Sequence, residues 1–393
     1  MNLLSLLAAL ASILLILIVL QDGFETIILP RRVSRKFRLA RMFYGTIWRL
    51  WSWLARRVRS AQRREEMLSF FGPFSLILLL TLWATMLIFA FGLLQWAMAD
   101  AISAPEKGVT FGTTLYMSGT TFFTLGFGDV VPHSGLSRFC AVAEAGIGFA
   151  FLALVIGYVP VIYQAFSRRE VGITLLDARA GSPPTTLELL RRHISGQDTS
   201  ELAQYLHDWE HWSADLLESH LSYPVLAYYR SQHDRQSWLA ALTTILDTCA
   251  LMMIGLNGES QRTATFTFAI ARHAAVDLAQ IFNTPPANGK VDRLPTETFQ
   301  QLRAQLADFG FELPDDGLAE AQLAGLRRMY EPYVNALAAY LLLPLPEWIS
   351  TEYSQDDWQS SAWEHASVTT QLAMARAQAE KKNIVTAQQP GSP

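Results

Sequence analysis

The sequence predicts an all-α protein whose first part lies in a membrane and whose second part is a helical soluble domain. Three observations carry this. Hydrophobic residues make up 51% of the 393 residues and charged residues only 17%, a balance unusual for a purely soluble chain. The apolar residues gather in three long runs within the first 165 residues. From Thr185 onward the pattern turns amphipathic at helical spacing, with proline-rich breaks at Pro183-Pro184, Pro285-Pro286 and Pro344 to Pro346. The length predicts two or three units.

Met1 to Leu20 carries no charge and is just long enough to cross a bilayer. No basic residues precede it, unlike a cleaved signal peptide. A cluster follows instead: between Arg31 and Arg64 lie twelve basic residues and no acidic one. The positive-inside rule keeps that cluster in the cytoplasm, so residues 1–22 read as an anchor helix with its amino terminus outside. Residues 31–66 mix arginines with Phe37, Phe43, Tyr44, Trp48, Trp51 and Trp53. Rings at headgroup level and arginines on anionic lipid describe an interfacial amphipathic helix, with lipid headgroups as partner over 31–64. Arg35, Arg38 and Arg41 recur every third residue, as in a voltage sensor. Lys36 and a single preceding helix argue against that reading.

Pro73 suits the first turn of a helix over 73–97, with Trp96 at the outer interface. Residues 111–123 form a shorter apolar segment. At about 1.5 Å per residue it reaches roughly two thirds of the hydrocarbon core, and segments of that length are often re-entrant. Then comes Thr124-Leu125-Gly126-Phe127-Gly128-Asp129. Alternating glycines reach backbone angles that other residues adopt only with strain, as needed to aim successive carbonyls to one side. The carbonyls of Thr124 to Phe127 could replace a cation's water shell. Residues 138–167 make a third crossing, ended by Arg168-Arg169. Glu144 is costly in lipid and should face protein or water, either bracing the back of the 124–129 loop or sitting near the interface. Gly148, Gly157 and Pro160 are places where this helix can bend, while a glycine can also mean close helix packing. His133 should sit at the outer mouth, where a protonated imidazole would repel a leaving cation.

The string Thr124 to Asp129 resembles the potassium-channel signature T-x-G-[YF]-G-D. With its flanking helices, the stretch 73–166 resembles simple two-helix bacterial pores and each half of two-pore-domain channels. The resemblance implies a pore domain over 73–169, with Thr124, Leu125, Gly126, Phe127 and Gly128 as the potassium filter. It also implies that Asp129 bonds to Tyr116 on the pore helix. Phe123 departs from the family, which usually has a threonine there. One motif per chain implies a homotetramer, in a bacterial-type plasma membrane, with potassium as the permeant ion and no cofactor. A channel passing sodium as well, and a membrane-anchored binding or signalling protein acting through its helical domain, are the alternatives.

Residues 170–374 read as a helical cytoplasmic domain, and 375–393 as a disordered tail. Thr185-x-x-Glu188 and Asp198-x-x-Glu201 are capping boxes. Helices are expected near 186–194, 199–221, 236–256, 262–283, 296–308 and 316–343. From Glu170 onward 15 Lys/Arg stand against 27 Asp/Glu, which argues against nucleic acid as partner. Two cysteines, Cys140 and Cys249, exclude a disulfide framework. His207 and His211 share a helix face without an evident third ligand. No triad or paired-acid spacing suggests an enzyme.

Overall fold

The computed structural model describes residues 3–29, 38–105, 108–194, 199–233, 236–287, 292–314 and 317–350. The disordered tail read over 375–393, the capping box at Asp198 and the start of the basic stretch lie outside the described residues. The chain divides into two compact units. One holds Met1–Arg168 and Glu218–Arg230, the other Arg169–Leu217 and Ser231–Pro393. The segment 218–230, read from sequence as part of the soluble domain, thus belongs to the unit of the apolar helices.

In the first unit, α1 (Leu3–Gly23) continues as a π-helical turn over Phe24–Ile28. Its leucines are largely exposed, as lipid-facing residues would be. Ser12, Ile16, Val19 and Asp22 are buried, Asp22 at 5% exposed near the end of the helix. Its Oδ2 accepts from the Ala40 amide and from the Trp83 indole N–H, each at 3.0 Å. Ala40 lies in the first turn of α2 (Leu39–Ala55), whose own N-cap, Arg38, supplies no side-chain cap. Asp22 therefore caps α2 from outside it, where a carboxylate suits the helix dipole. On α2 the Trp48 side is buried while Met42, Leu50 and Trp53 are exposed. The Arg57 guanidinium lies 3.4 Å over the Trp53 ring.

α3 runs Ala61–Trp96, not from Pro73. Ser60 caps it by accepting from the Arg63 amide, and the polar turn after it is helical too. Pro73 therefore stands inside the helix. α4 is Phe111–Phe122 and α5 is Gly135–Ala180. α5 outruns the 138–167 read from sequence because charge alone does not stop a helix. Its continuation carries an Arg169–Glu170 ion pair at 2.8 Å and ends where Gly181 takes φ +87°. Between α3 and α4 lies β1 (Ile102–Ser103). It pairs antiparallel with β2 (Val131–Pro132), Ile102 opposite Pro132. This short ladder, unforeseen in the sequence, ties together the chain before α4 and the chain after residue 129.

The second unit is helical among its described residues: α6 (Thr186–His193), α7 (Ser200–Ser222, which ends in the first unit), α8 (Trp238–Gly255), α9 (Glu259–Ile281), α10 (Thr296–Ala307), α11 (Ala319–Arg327) and α12 (Glu331–Leu341). The single helix read over 316–343 is two, because Pro332 has no N–H to carry the helix through from α11. α8 is the core, buried along Trp238–Met252. Its Thr243 and Thr248 hydroxyls donate back to the carbonyls of Leu239 and Thr244. Its Asp247, fully buried, pairs with Arg293 at 2.6 Å and accepts from the Tyr330 hydroxyl. Arg293 and Arg327 both reach Glu331, so charged groups link α8, α11 and α12. Paired this way they avoid the large penalty of a lone buried charge.

Among the described residues, four helices are long and apolar enough to cross a membrane: Leu3–Ile28, α3, α5 and α8. They differ in surroundings. The apolar window of α8 is 83% buried within the chain, against 17% for α1 and α5.

His193, at the end of α6, is 6% exposed and stacks on Tyr205 with ring centroids 5.1 Å apart. Its partners fix the tautomer. Nδ1 donates to the Leu189 carbonyl at 2.8 Å, and Nε2 accepts from Arg179 at 2.8 Å. Burial is the main reason its pKa is lowered, and Arg179 and Arg192 add to it. The Leu189 carbonyl and Glu201 oppose. A base with a depressed folded pKa leaves stability intact above its unfolded value of about 6.5 and removes it as pH falls below that. Thermal unfolding of the full chain in detergent should therefore fall between pH 7.5 and 5.5, and His193→Gln should flatten the fall. An unchanged slope in that variant would contradict the assignment.

Candidate ion pathway

α4 starts at a reciprocal cap. The Thr113 amide donates to Thr110 Oγ1 at 3.2 Å, and the Thr110 amide to Thr113 Oγ1 at 3.3 Å. A threonine in the place of the usual Glu or Gln hides this box in the sequence. At the other end the chain folds back on the last turn. The amides of Phe123 and Thr124 donate to Gly119 and Thr121. Those of Leu125 and Gly126 both donate to the Thr120 carbonyl, at 2.7 and 3.3 Å. The amides are thus turned toward α4.

Thr124, Gly126 and Gly128 have φ of +57, +57 and +78°, while Leu125 and Phe127 do not adopt positive φ. Alternating handedness turns successive carbonyls toward one side, where a strand would alternate them. Among the described residues, no backbone hydrogen bond reaches the carbonyls of Thr124 to Gly128. A Cβ added at Gly126 or Gly128 would meet nothing within 4 Å. Backbone angle alone, then, demands glycine there. Thr124 is the surprise: a β-branched residue at positive φ is strained. Residues 123–129 are exposed in the single chain, with Phe123 59%, Leu125 58% and Phe127 67%.

The support lies behind. Tyr116 on α4 and Asp129 lie near enough to interact. Glu144 on α5 is fully buried, and its Oε1 meets Ser118 Oγ on α4. Ser118 Oγ also lies 2.7 Å from the Ile88 carbonyl of α3. With both contacts made, Ser118 stands between the Ile88 carbonyl of α3 and the Glu144 carboxyl of α5. Gln95 of α3 and Ser137 of α5 form a second buried tie, through Ser137 Oγ donating at 3.1 Å and Gln95 Nε2 donating to the Ser137 carbonyl at 3.3 Å. Neither Ser118 nor Gln95 carries a signal in the sequence, since both sit in apolar runs without a motif.

Glycines let the helices close on α4. A Cβ on Gly92 would lie 3.1 Å from Leu115 Cα, and one on Gly148 only 2.0 Å from the Phe122 carbonyl oxygen. Gly148 is thus a close-packing position. Gly157 has nothing within 4 Å of a Cβ, and α5 passes helically through it and through Pro160. His133 is exposed, and its amide donates to the Ala101 carbonyl at 2.7 Å. Elsewhere, the His207 and His211 rings are 4.9 Å apart. No group of three His, Cys, Asp or Glu able to hold a metal occurs among the described residues.

Residues 76–164 match the family model described as "Ion channel". The match takes in most of α3, all of α4, the 124–129 loop and the first part of α5. This stretch is an ion-channel module of the two-helix, pore-loop kind. Over 216 residues the chain is 24% identical to "Uncharacterized membrane protein YdjJ" of Bacillus subtilis (strain 168), covering 54% of this chain and 61% of that protein. The chain thus spans less than two thirds of that relative's length. No solved structure matches the chain.

The tie between Ser118 and Glu144 has a direct test. Glu144→Gln, whose amide can donate to Ser118, should keep the module's thermal stability in detergent. Glu144→Ala strands the hydroxyl and leaves a void, and should cost about 2–3 kcal/mol. Equal losses in the two variants would contradict the assignment.

Proposed function

We propose that four copies of this chain assemble a potassium-selective channel, with Thr124, Leu125, Gly126 and Phe127 lending their carbonyls to the ion. The observation that carries the reading is the row of carbonyls at alternating handedness that, among the described residues, accept no backbone hydrogen bond. Backbone of this kind is tolerated at membrane depth only where it lines a wet cavity or is buried in protein. Four-fold symmetry about the exposed face of residues 123–129 supplies both conditions. α1, α3 and α5 cross the membrane, and α4 re-enters with its negative dipole end toward the cavity. α8 stays within the helical unit, which its burial supports. That unit lies in the cytoplasm of a bacterial cell, and α2 rests on anionic headgroups through the arginines of 31–64. Asp129, Tyr116 and Glu144 hold the filter, Gly157 and Pro160 give α5 room to bend, and His133 stands at the outer mouth. No reaction is catalysed.

A second reading keeps the pore and relaxes the selectivity. It rests on Phe123, a large side chain, 59% exposed, where the potassium-channel family usually has a threonine. Ion flux into liposomes holding the purified protein separates the two. Potassium flux well above sodium flux, abolished by Gly126→Ala, is the expected result, because alanine cannot hold φ +57° without strain. Equal fluxes of the two ions would favour the second reading. A Gly126→Ala protein that conducts like the wild type would overturn both.

A further inference from the structure

Residues 218–230 are separated from the ion-channel module by more than fifty residues of chain, yet they belong to its compact unit. The segment runs from the end of α7 through the 3-10 turn Pro224–Tyr228. Val225, Leu226 and Tyr228 are 3%, 0% and 4% exposed. It packs on three helices at once. On α2, the Tyr44 and Trp48 rings lie 5.8 and 5.0 Å from that of Tyr228. On α3, Phe71 lies 5.1 Å from the same ring, and Glu65 holds Arg230 at 3.3 Å. Gly72 yields its side-chain space to Tyr229, whose Cδ2 lies 2.6 Å from where a Cβ would stand.

The third helix is α5. Tyr158 meets Tyr223 with centroids 5.7 Å apart, and Phe166 meets Tyr229 at 5.6 Å. Val225 and Leu226 share one core cluster with Tyr158, Ile162 and Ala165. Positions 158, 162, 165 and 166 lie on one face of the helix. That face spans Pro160 and begins one residue after Gly157, an open position on α5.

We propose that residues 223–230 form a wedge that sets the position of α5, and that the C-terminal half of the chain acts on the pore through it. The inference rests on the channel reading above. A packed interface has discrete arrangements and does not deform continuously. Withdrawal of the wedge would strip the inner face of α5 of its aromatic partners and free the helix for a second position. The chain on both sides of the wedge, up to Leu217 and from Ser231, belongs to the helical unit. A change of shape there reaches the wedge through the chain itself.

Single-channel recording of the full-length protein in planar bilayers tests this. Tyr223→Ala and Tyr229→Ala should shift the open probability by about fivefold or more, the lower end of typical coupling energies. Unitary current and ion preference should not change, since the filter is untouched. Tyr223→Phe, which keeps the ring, should behave as wild type. Gly72→Ala only pushes on the Tyr229 ring and gives the same readout where an alanine variant fails to assemble. Leu242→Ala, in the fully buried core of α8, controls for general destabilisation. Open probabilities within about twofold of wild type in the wedge variants, or an equal shift in the Leu242 control, would overturn the wedge. A wild-type protein that passes no current under any condition would overturn the channel reading and this inference with it.

Discussion

Among the described residues, the carbonyls of Thr124 to Phe127 accept no backbone hydrogen bond. In hydrocarbon, each unsatisfied polar group of this kind would cost several kcal/mol. A large part of the first unit can be understood as the means of presenting that row. The last turn of α4 takes the neighbouring amides, which leaves the carbonyls facing away. Gly92 and Gly148 let α3 and α5 approach α4 closely enough to hold it. Ser118 and Glu144 tie the same three helices with polar contacts. The β1–β2 ladder clamps the chain ahead of α4 to the chain beyond residue 129. The strain at Thr124 is maintained by this surround. A β-branched residue keeps a left-handed conformation only where its neighbours over-determine it.

Much of this was legible in the residues. The glycine alternation at 126 and 128 announces the special backbone, and the flanking apolar runs give the helices on either side. Hydropathy marks α1, α3 and α5, and capping chemistry marks α6. What escaped has physical reasons. Positive φ at Thr124 follows from the handedness its neighbours impose, not from its own preference. Asp22 looks like the end of an apolar run, and only folding brings it to the Ala40 amide and the Trp83 indole. α8, read from sequence as a helix of the soluble domain, also has the composition of a membrane span, and its burial within the chain is a tertiary fact. The length of α5 was hidden because Arg168-Arg169 reads as a membrane boundary, while the helix continues until Gly181.

The least legible feature is the place of residues 218–230. Sequence order assigns them to the helical domain, and their own composition does not contradict it. Burial of Leu226 and Tyr228 among α2, α3 and α5 is a tertiary fact with no local signature. It makes the two units of the chain interleaved in sequence, since α7 leaves the helical unit and the chain returns to it after Arg230. The aromatic residues of α2 divide between a buried and an exposed side. Trp48 packs inward on Phe71, whereas Trp53 remains exposed beside Arg57, where a headgroup layer would meet it.

The central claim is that the carbonyl row faces a shared axis and holds potassium there. A structure of the assembled protein in potassium solution tests it most directly. The account predicts four chains around one axis, with ion density at the level of the Thr124 to Phe127 carbonyls. Chains whose carbonyls face away from any axis, or an assembly of another order with no ion density between them, would contradict it.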